Sequence, residues 1–144
     1  MDEPGFTIVP FQPEHEAAVI QLWHDCDLTR PWNDPARDIA RKVAVSPELF
    51  LIGSEDGRVV ATVMGSYDGH RGWVYYLGVH PDCQRRGYGR LIMDAITAKL
   101  TTLGCPKINL QVRDGNEAAR KFYESIGFQT DPVFAMGKRL VEDG

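Results

Sequence analysis

A chain of 144 residues has the length of one domain, residues 1–144, and can bury a sizeable core. Hydrophobic residues make up 43% and charged residues 25%, ordinary values for a globular protein. The net charge of −4, with no Lys/Arg run longer than two, leaves no basic footprint for nucleic acid. Met1–Gly5 is acidic without an apolar core and no 18 apolar residues run together, so no leader or membrane span is expected and the expected location is cytoplasmic.

Phe6 to Pro10 alternates weakly and predicts a short strand closed by proline. Pro13 suits the first turn of a helix that carries Val19, Ile20, Trp23 and Cys26 at helical spacing and ends near Asp27. Leu28 to Pro35 predicts a loop, and Asn33 or Asp34 before Pro35 starts a second helix that runs to about Val45. Leu49–Ile52 and Arg58–Ser66 predict strands joined by the Ser54–Gly57 turn, and the Asp68–Gly72 turn leads into a strand from Trp73 to Val79. A third helix follows, with Leu91, Ile92, Ala95, Ile96, Leu100 and Leu103 on its buried side, Gly104 past its end and Pro106 blocking continuation. Lys107–Val112 predicts a strand, Asn116 caps a helix ending at Gly127, Val133–Leu140 predicts a last strand, and Val141–Gly144 a solvated tail. The order β-α-α-β-β-β-α-β-α-β makes an α/β (α+β) domain, one mixed central sheet with helices on both faces. Cys26, Cys83 and Cys105 are odd in number and lack a C-x-x-C pair, which predicts reduced thiols and no metal site.

Between the Trp73–Val79 strand and the third helix stand two glycines, Gly87 and Gly89, one residue apart. Unpaired N–H groups and the positive end of a helix dipole there face one small volume, which suits phosphate. The turn has neither the three glycines of a dinucleotide fingerprint nor the Lys-Ser/Thr of a P-loop. Gln84-x-x-Gly87-x-Gly89 resembles the Q/R-x-x-G-x-G/A pyrophosphate turn of the Gcn5-related (GNAT) N-acetyltransferases. Asn116 to Phe128 is similar, position for position, to that family's N-x-x-A-x-x-x-Y-x-x-x-G-F segment. The resemblance is closest from about Val59 to Phe128, and the C-terminal half is similar to ribosomal-protein-alanine N-acetyltransferases.

The resemblance implies acetyl-CoA as co-substrate and no metal. Its diphosphate would rest on the turn, with Gln84, Arg85, Arg86, Gly87, Tyr88, Gly89 and Arg90 around it. Leu77 and Val79 would offer main-chain groups to the acetyl-pantetheine arm, with Asn116 and Ala119 beside it, and the phenol of Tyr123 would protonate the departing thiolate. Two positions depart from the family: Tyr75 and Gln111 stand where related strands carry a carboxylate, and glutamine cannot accept a proton. His70 is the first choice of base because imidazole titrates near neutrality. Asp68, His24, Asp25, Asp34 or a water relay are the alternatives. The loop residues Arg30, Trp32, Asn33 and Asp34, with Asp68 and Gln111, are the expected acceptor-binding groups.

The resemblance implies an acyltransferase that moves acetyl to a primary amine, small molecule or peptide; a monomer or homodimer without nucleic-acid or membrane partners is expected. The alternative is a catalytically weak acyl-CoA-binding sensor of the same fold.

Overall fold

The computed structural model describes residues 5–143. Met1–Pro4, most of the acidic start, and Gly144 lie outside the described residues. The elements are β1 (Phe6–Pro10), α1 (Glu16–Asp25), α2 (Pro35–Val45), β2 (Phe50–Glu55), β3 (Arg58–Tyr67), β4 (Gly72–Val79), α3 (Tyr88–Thr102), β5 (Ile108–Asn109) and α4 (Glu117–Ser125). They build one mixed sheet in the order β1-β2-β3-β4-β5, antiparallel except for the parallel β4–β5 pair.

Side chains alternate across a strand, so β2 sends Phe50 and Ile52 to one face and Leu51 to the other. On the first face Val19 and Trp23 of α1 and Ile39 of α2 pack with Phe11, Phe50, Ile52 and Met64. On the second, Ile92, Met93, Ile96 and Leu100 of α3 pack with Leu51, Val63 and Val74, and Phe122, Tyr123 and Ile126 of α4 lie against the same cluster. The helices thus cover both faces.

Local chemistry sets the helix starts. Asp34 accepts from the Ala36 and Arg37 amides at 2.9 and 3.3 Å, ahead of Pro35 at the first helical position. Asn116 accepts from the Ala119 amide at 3.1 Å. Pro13 begins a separate 3₁₀ turn, Pro13–His15, before α1.

Four expectations are corrected. The Lys107–Val112 strand shrinks to Ile108–Asn109, because β4 pairs with it only at Gly72 and Trp73. Val133–Leu140 forms no strand and leaves Phe134 95% and Met136 91% exposed. Leu103, the C-terminal cap of α3, is 53% exposed. The tail is not simply solvated, since the Asp143 carboxylate is 1% exposed against Arg41.

The β3–β4 ladder breaks where Thr62 pairs with Gly78 but Met64 pairs with Tyr75, so Tyr76 and Leu77 together oppose Val63 in a β-bulge. Tyr76 holds φ +53°, a left-handed conformation that costs a non-glycine residue about 1–2 kcal/mol. Fully buried Thr62 holds it there, donating to the Tyr76 carbonyl at 2.9 Å while accepting from the Trp23 indole at 3.0 Å. The Tyr76 ring stacks on Trp23 at 3.8 Å. Thr62→Val strands both partners, each worth about 1–3 kcal/mol when buried and unpaired. A loss of about 2–4 kcal/mol in urea unfolding is expected, with Thr62→Ser near wild type; equal midpoints for the two variants would remove Thr62 from this role.

Candidate active site

Because β5 leaves β4 after Trp73, the edge of β4 from Val74 to Val79 has no strand partner on that side among the described residues. A wedge opens there, and β4 runs along it into the turn that precedes α3. Arg85 (φ +67°) and Gly87 (φ +83°) take left-handed conformations in that turn, and among the described residues 85–87 donate no main-chain hydrogen bond. The first-turn amides of α3 add to them. Successive free N–H groups of this kind make a concavity for an anion, favoured by the helix dipole.

Each glycine has its own reason. A Cβ on Gly87 would meet nothing within 4 Å, so its requirement is the backbone angle, whereas one on Gly89 would come within 3.2 Å of the Phe122 ring of α4. Gly89 therefore lets α4 close over the start of α3. The Gln84 side chain donates to the Val79 carbonyl at 3.2 Å and folds the turn back on the end of β4.

The side chains around the turn divide differently from expectation. Arg86 donates to Glu55 at 2.6 Å and the Tyr88 hydroxyl donates to the same carboxylate, with the Tyr88 ring stacked on Phe6 at 3.9 Å. Both side chains are anchors to the β2–β3 hairpin rather than free ligands, and Glu55 is held below its ordinary range first by Tyr88 and then by Arg86. Arg85 and Arg90 stay exposed at the turn.

Tyr123 lies on α4, packed against the same cluster as α3 and edge-on to Phe122 and Phe128 at 5.4 and 5.7 Å. Burial pushes its phenol up to about 12, so it is protonated throughout the neutral range. Leu77 and Val79 lie half-buried on the same cluster, and Ala119 is half-buried one turn before Tyr123. Asn116 spends its side-chain oxygen on the helix cap.

The first loop reaches the mouth of the wedge. Trp32, 44% exposed, has the Arg113 guanidinium 5.7 Å over its ring, and Asn33 accepts from Arg139 at 3.1 Å. Arg30 turns back onto the Asp27 and Thr29 carbonyls instead of toward the mouth, and Asp34 is committed to its cap. Gln111 is exposed beyond β5.

His70 and Asp68 stand in the turn before Gly72, the end of β4 opposite the phosphate-type turn. Four residue steps along β4 separate Gly72 from the bulge at Tyr76, roughly 13 Å at strand rise, so the structure does not bring His70 to Leu77. Asp68 accepts from the Arg71 and His70 amides, both at 2.8 Å, and these bonds hold its carboxyl below the ordinary range. The other base candidates are engaged too: His24 with Thr29 at 3.1 Å, and Asp25 with Gln21 at 2.9 Å and His80 at 3.4 Å.

Sequence reasoning missed three residues that shape the site. Asp38 accepts from the Tyr76 hydroxyl at 2.6 Å, Glu55 anchors the turn, and Asp143 is bound by Arg41. Of these, Asp38 alone had a local signal, lying between Arg37 and Arg41 on α2.

Comparison with known proteins places this geometry. The acetyltransferase (GNAT) family profile matches residues 17–128. An acetyltransferase of Yersinia pestis is 48% identical over 133 residues, covering 92% of this chain and 94% of that protein. Among solved structures, Ard1 from Thermoplasma volcanium superposes with a TM-score of 0.76 at 27% identity, over 87% of this chain and 83% of its own. The ribosomal-protein-S18-alanine N-acetyltransferase of Escherichia coli gives 0.72 at 24%, over 86% and 77%, a likeness of fold. No described helix is long and apolar enough to cross a membrane.

The two glycines should respond differently. Gly87→Ala pays only for its backbone angle, about 1 kcal/mol, whereas Gly89→Ala must displace Phe122. Phe122→Leu should therefore relieve Gly89→Ala and leave Gly87→Ala as it is in urea unfolding. Equal relief of both would refute the division.

Proposed function

Since the chain belongs to the acetyltransferase (GNAT) family, we propose that it transfers acetyl from acetyl-CoA to a primary amine held at the mouth of the wedge. The observation that carries this reading is the free edge of β4, which ends in a left-handed turn at the start of α3 and whose Leu77 and Val79 pack on the same cluster as the half-buried Tyr123. The open space at Gly87 and the unpaired amides suit a diphosphate, held by main chain more than by arginine. Leu77 and Val79 border the acyl arm, and Gln84, Arg85, Gly89, Arg90, Asn116 and Ala119 complete its surroundings.

In the step itself the amine nitrogen attacks the thioester carbonyl and the carbon–sulfur bond breaks. The thiolate takes the proton of Tyr123, and the tyrosinate recovers one from solvent. Main-chain N–H groups at the bulge meet the developing oxyanion. An acceptor that arrives as an ammonium must also lose a proton before its nitrogen can attack. Gln111 cannot hold it, and the Tyr75 phenol, pushed up by burial and then by Asp68, is no base at neutral pH. The proton passes to water at the exposed mouth, with Trp32, Asn33 and Gln111 positioned toward the acceptor.

Two measurements test this. Acetyl-CoA should bind by calorimetry and be turned over by members of an amine panel, and a folded Gly87→Val variant should lose that binding. Tyr123→Phe keeps the ring but not the proton, so kcat should fall by roughly 10²–10⁴ with unchanged acetyl-CoA affinity. Wild-type kcat in that variant, where chemistry limits, rules Tyr123 out as the acid.

A further inference from the structure

The carboxylate of Asp143 is 1% exposed, although the segment that carries it has almost no packing of its own. Arg41 grips it at two points, Nη2 to Oδ1 at 2.7 Å and Nη1 to Oδ2 at 3.0 Å. Arg37 approaches Oδ1 at 3.6 Å, and the Asp34 amide donates to Oδ2 at 3.4 Å. This is the planar, two-pronged recognition that arginine gives a carboxylate, made from side chains of α2 and one amide at its start. The hydrogen bonds from Arg41 hold the Asp143 carboxyl down at about 2, so it is ionised at neutral pH.

Three features mark the group as a displaceable occupant. Phe134, Met136 and Leu140, on the path to Asp143, are exposed, so its departure uncovers no core. Besides Asp143, the segment is tied to the body by Asp131 to Lys107 and Arg139 to Asn33, which remain when Asp143 leaves. The arginines are already countered by Asp34 at 3.7 Å and Asp38 at 3.1 Å. The cluster is therefore neutral when Asp143 leaves and takes one carboxylate in its place.

Its position connects it to the chemistry. Asp38 shares Arg41 with Asp143 through one oxygen and accepts the Tyr76 hydroxyl on the other at 2.6 Å. Tyr76 is the bulge residue beside Leu77, so the carboxylate cluster lies about one tyrosine side chain from the free edge of β4. A short molecule with an amine at one end and a carboxylate at the other has that length.

We propose that Arg37, Arg41 and the Asp34 amide form an acceptor carboxylate site, that Asp143 fills it while no acceptor is bound, and that a carboxylate-bearing amine displaces it. The proposal rests on the acetyltransferase reading and narrows its acceptor to amino acids or short peptides with a free carboxylate.

The test follows CoA thiol release with L-lysine and Ala-Gly, each against its C-terminal amide, on wild type, Asp143→Asn and Arg41→Gln. Charge-assisted hydrogen bonds of this kind are worth about 1.5–3 kcal/mol, or roughly tenfold to a hundredfold in affinity. Free acids should have the lower KM in wild type, and Asp143→Asn should lower it further, severalfold, leaving the amides unchanged. Arg41→Gln should raise the free-acid KM about tenfold or more and abolish the difference from the amides, with a smaller effect on kcat. A latch that only stabilises the fold would move acids and amides alike. Free acids and amides that respond equally, or a panel silent on all three forms, overturns the carboxylate site. Acetyl-CoA affinity by calorimetry is expected to be the same throughout; its absence in wild type would instead sink the acetyltransferase reading.

Discussion

The hydrogen bond from Thr62 to the Tyr76 carbonyl is the constraint on which the rest of the site depends. A hydroxyl buried between strand and helix has to satisfy itself, and here it does so by bridging the Trp23 indole to a main-chain oxygen the bulge has turned out of the ladder. The bulge re-aims β4 after Tyr75, and past Trp73 β5 no longer follows it. The cost of an aromatic residue at φ +53° is met by stacking on Trp23 and by the Asp38 bond to the phenol.

From that point the site is held at two ends by carboxylates that contact no substrate in the proposed mechanism. At the turn, Glu55 takes both Arg86 and Tyr88, so the local positive charge is partly spent on fixing the loop. Main-chain amides on a pinned loop lose little freedom when an anion arrives, while flexible arginines would have to be ordered first. At the acceptor end, Asp38 ties α2 to the bulge. Movement of α2 there acts on the same residue that shapes the free edge.

Much of this was legible in the sequence because it is local. The Gln84–Gly89 turn, the Asp34 and Asn116 caps and the apolar runs of Leu49–Ile52 and Arg58–Ser66 are each encoded within a few residues; the caps stand among those expected, and strands form at Phe50–Glu55 and Arg58–Tyr67. The bulge was not legible, because a tyrosine in a left-handed conformation carries no glycine to announce it. Glu55 with Arg86, and Arg41 with Asp143, join residues 31 and 102 positions apart, and such pairs follow only from the folded topology. The Val133–Leu140 strand failed for a related reason: its composition suits a strand, but a strand also needs a partner edge, and the β5 segment ends after two residues.

In the proposed reaction the same geometry separates two proton transfers. Tyr123 lies among apolar side chains, where burial keeps its proton in place, and such a phenol gives up that proton only to a strong nearby base. A thiolate leaving in a dry wedge is such a base, since the burial that raises the phenol also disfavours the free thiolate. The proton lost by the amine has the opposite need, a route to water, and the mouth with exposed Trp32 and Gln111 provides it. A carboxylate at position 111 would serve that second transfer within the enzyme. With glutamine there the acceptor's own acidity governs it, so the missing carboxylate moves the burden from the protein to the chemistry of the amine it accepts.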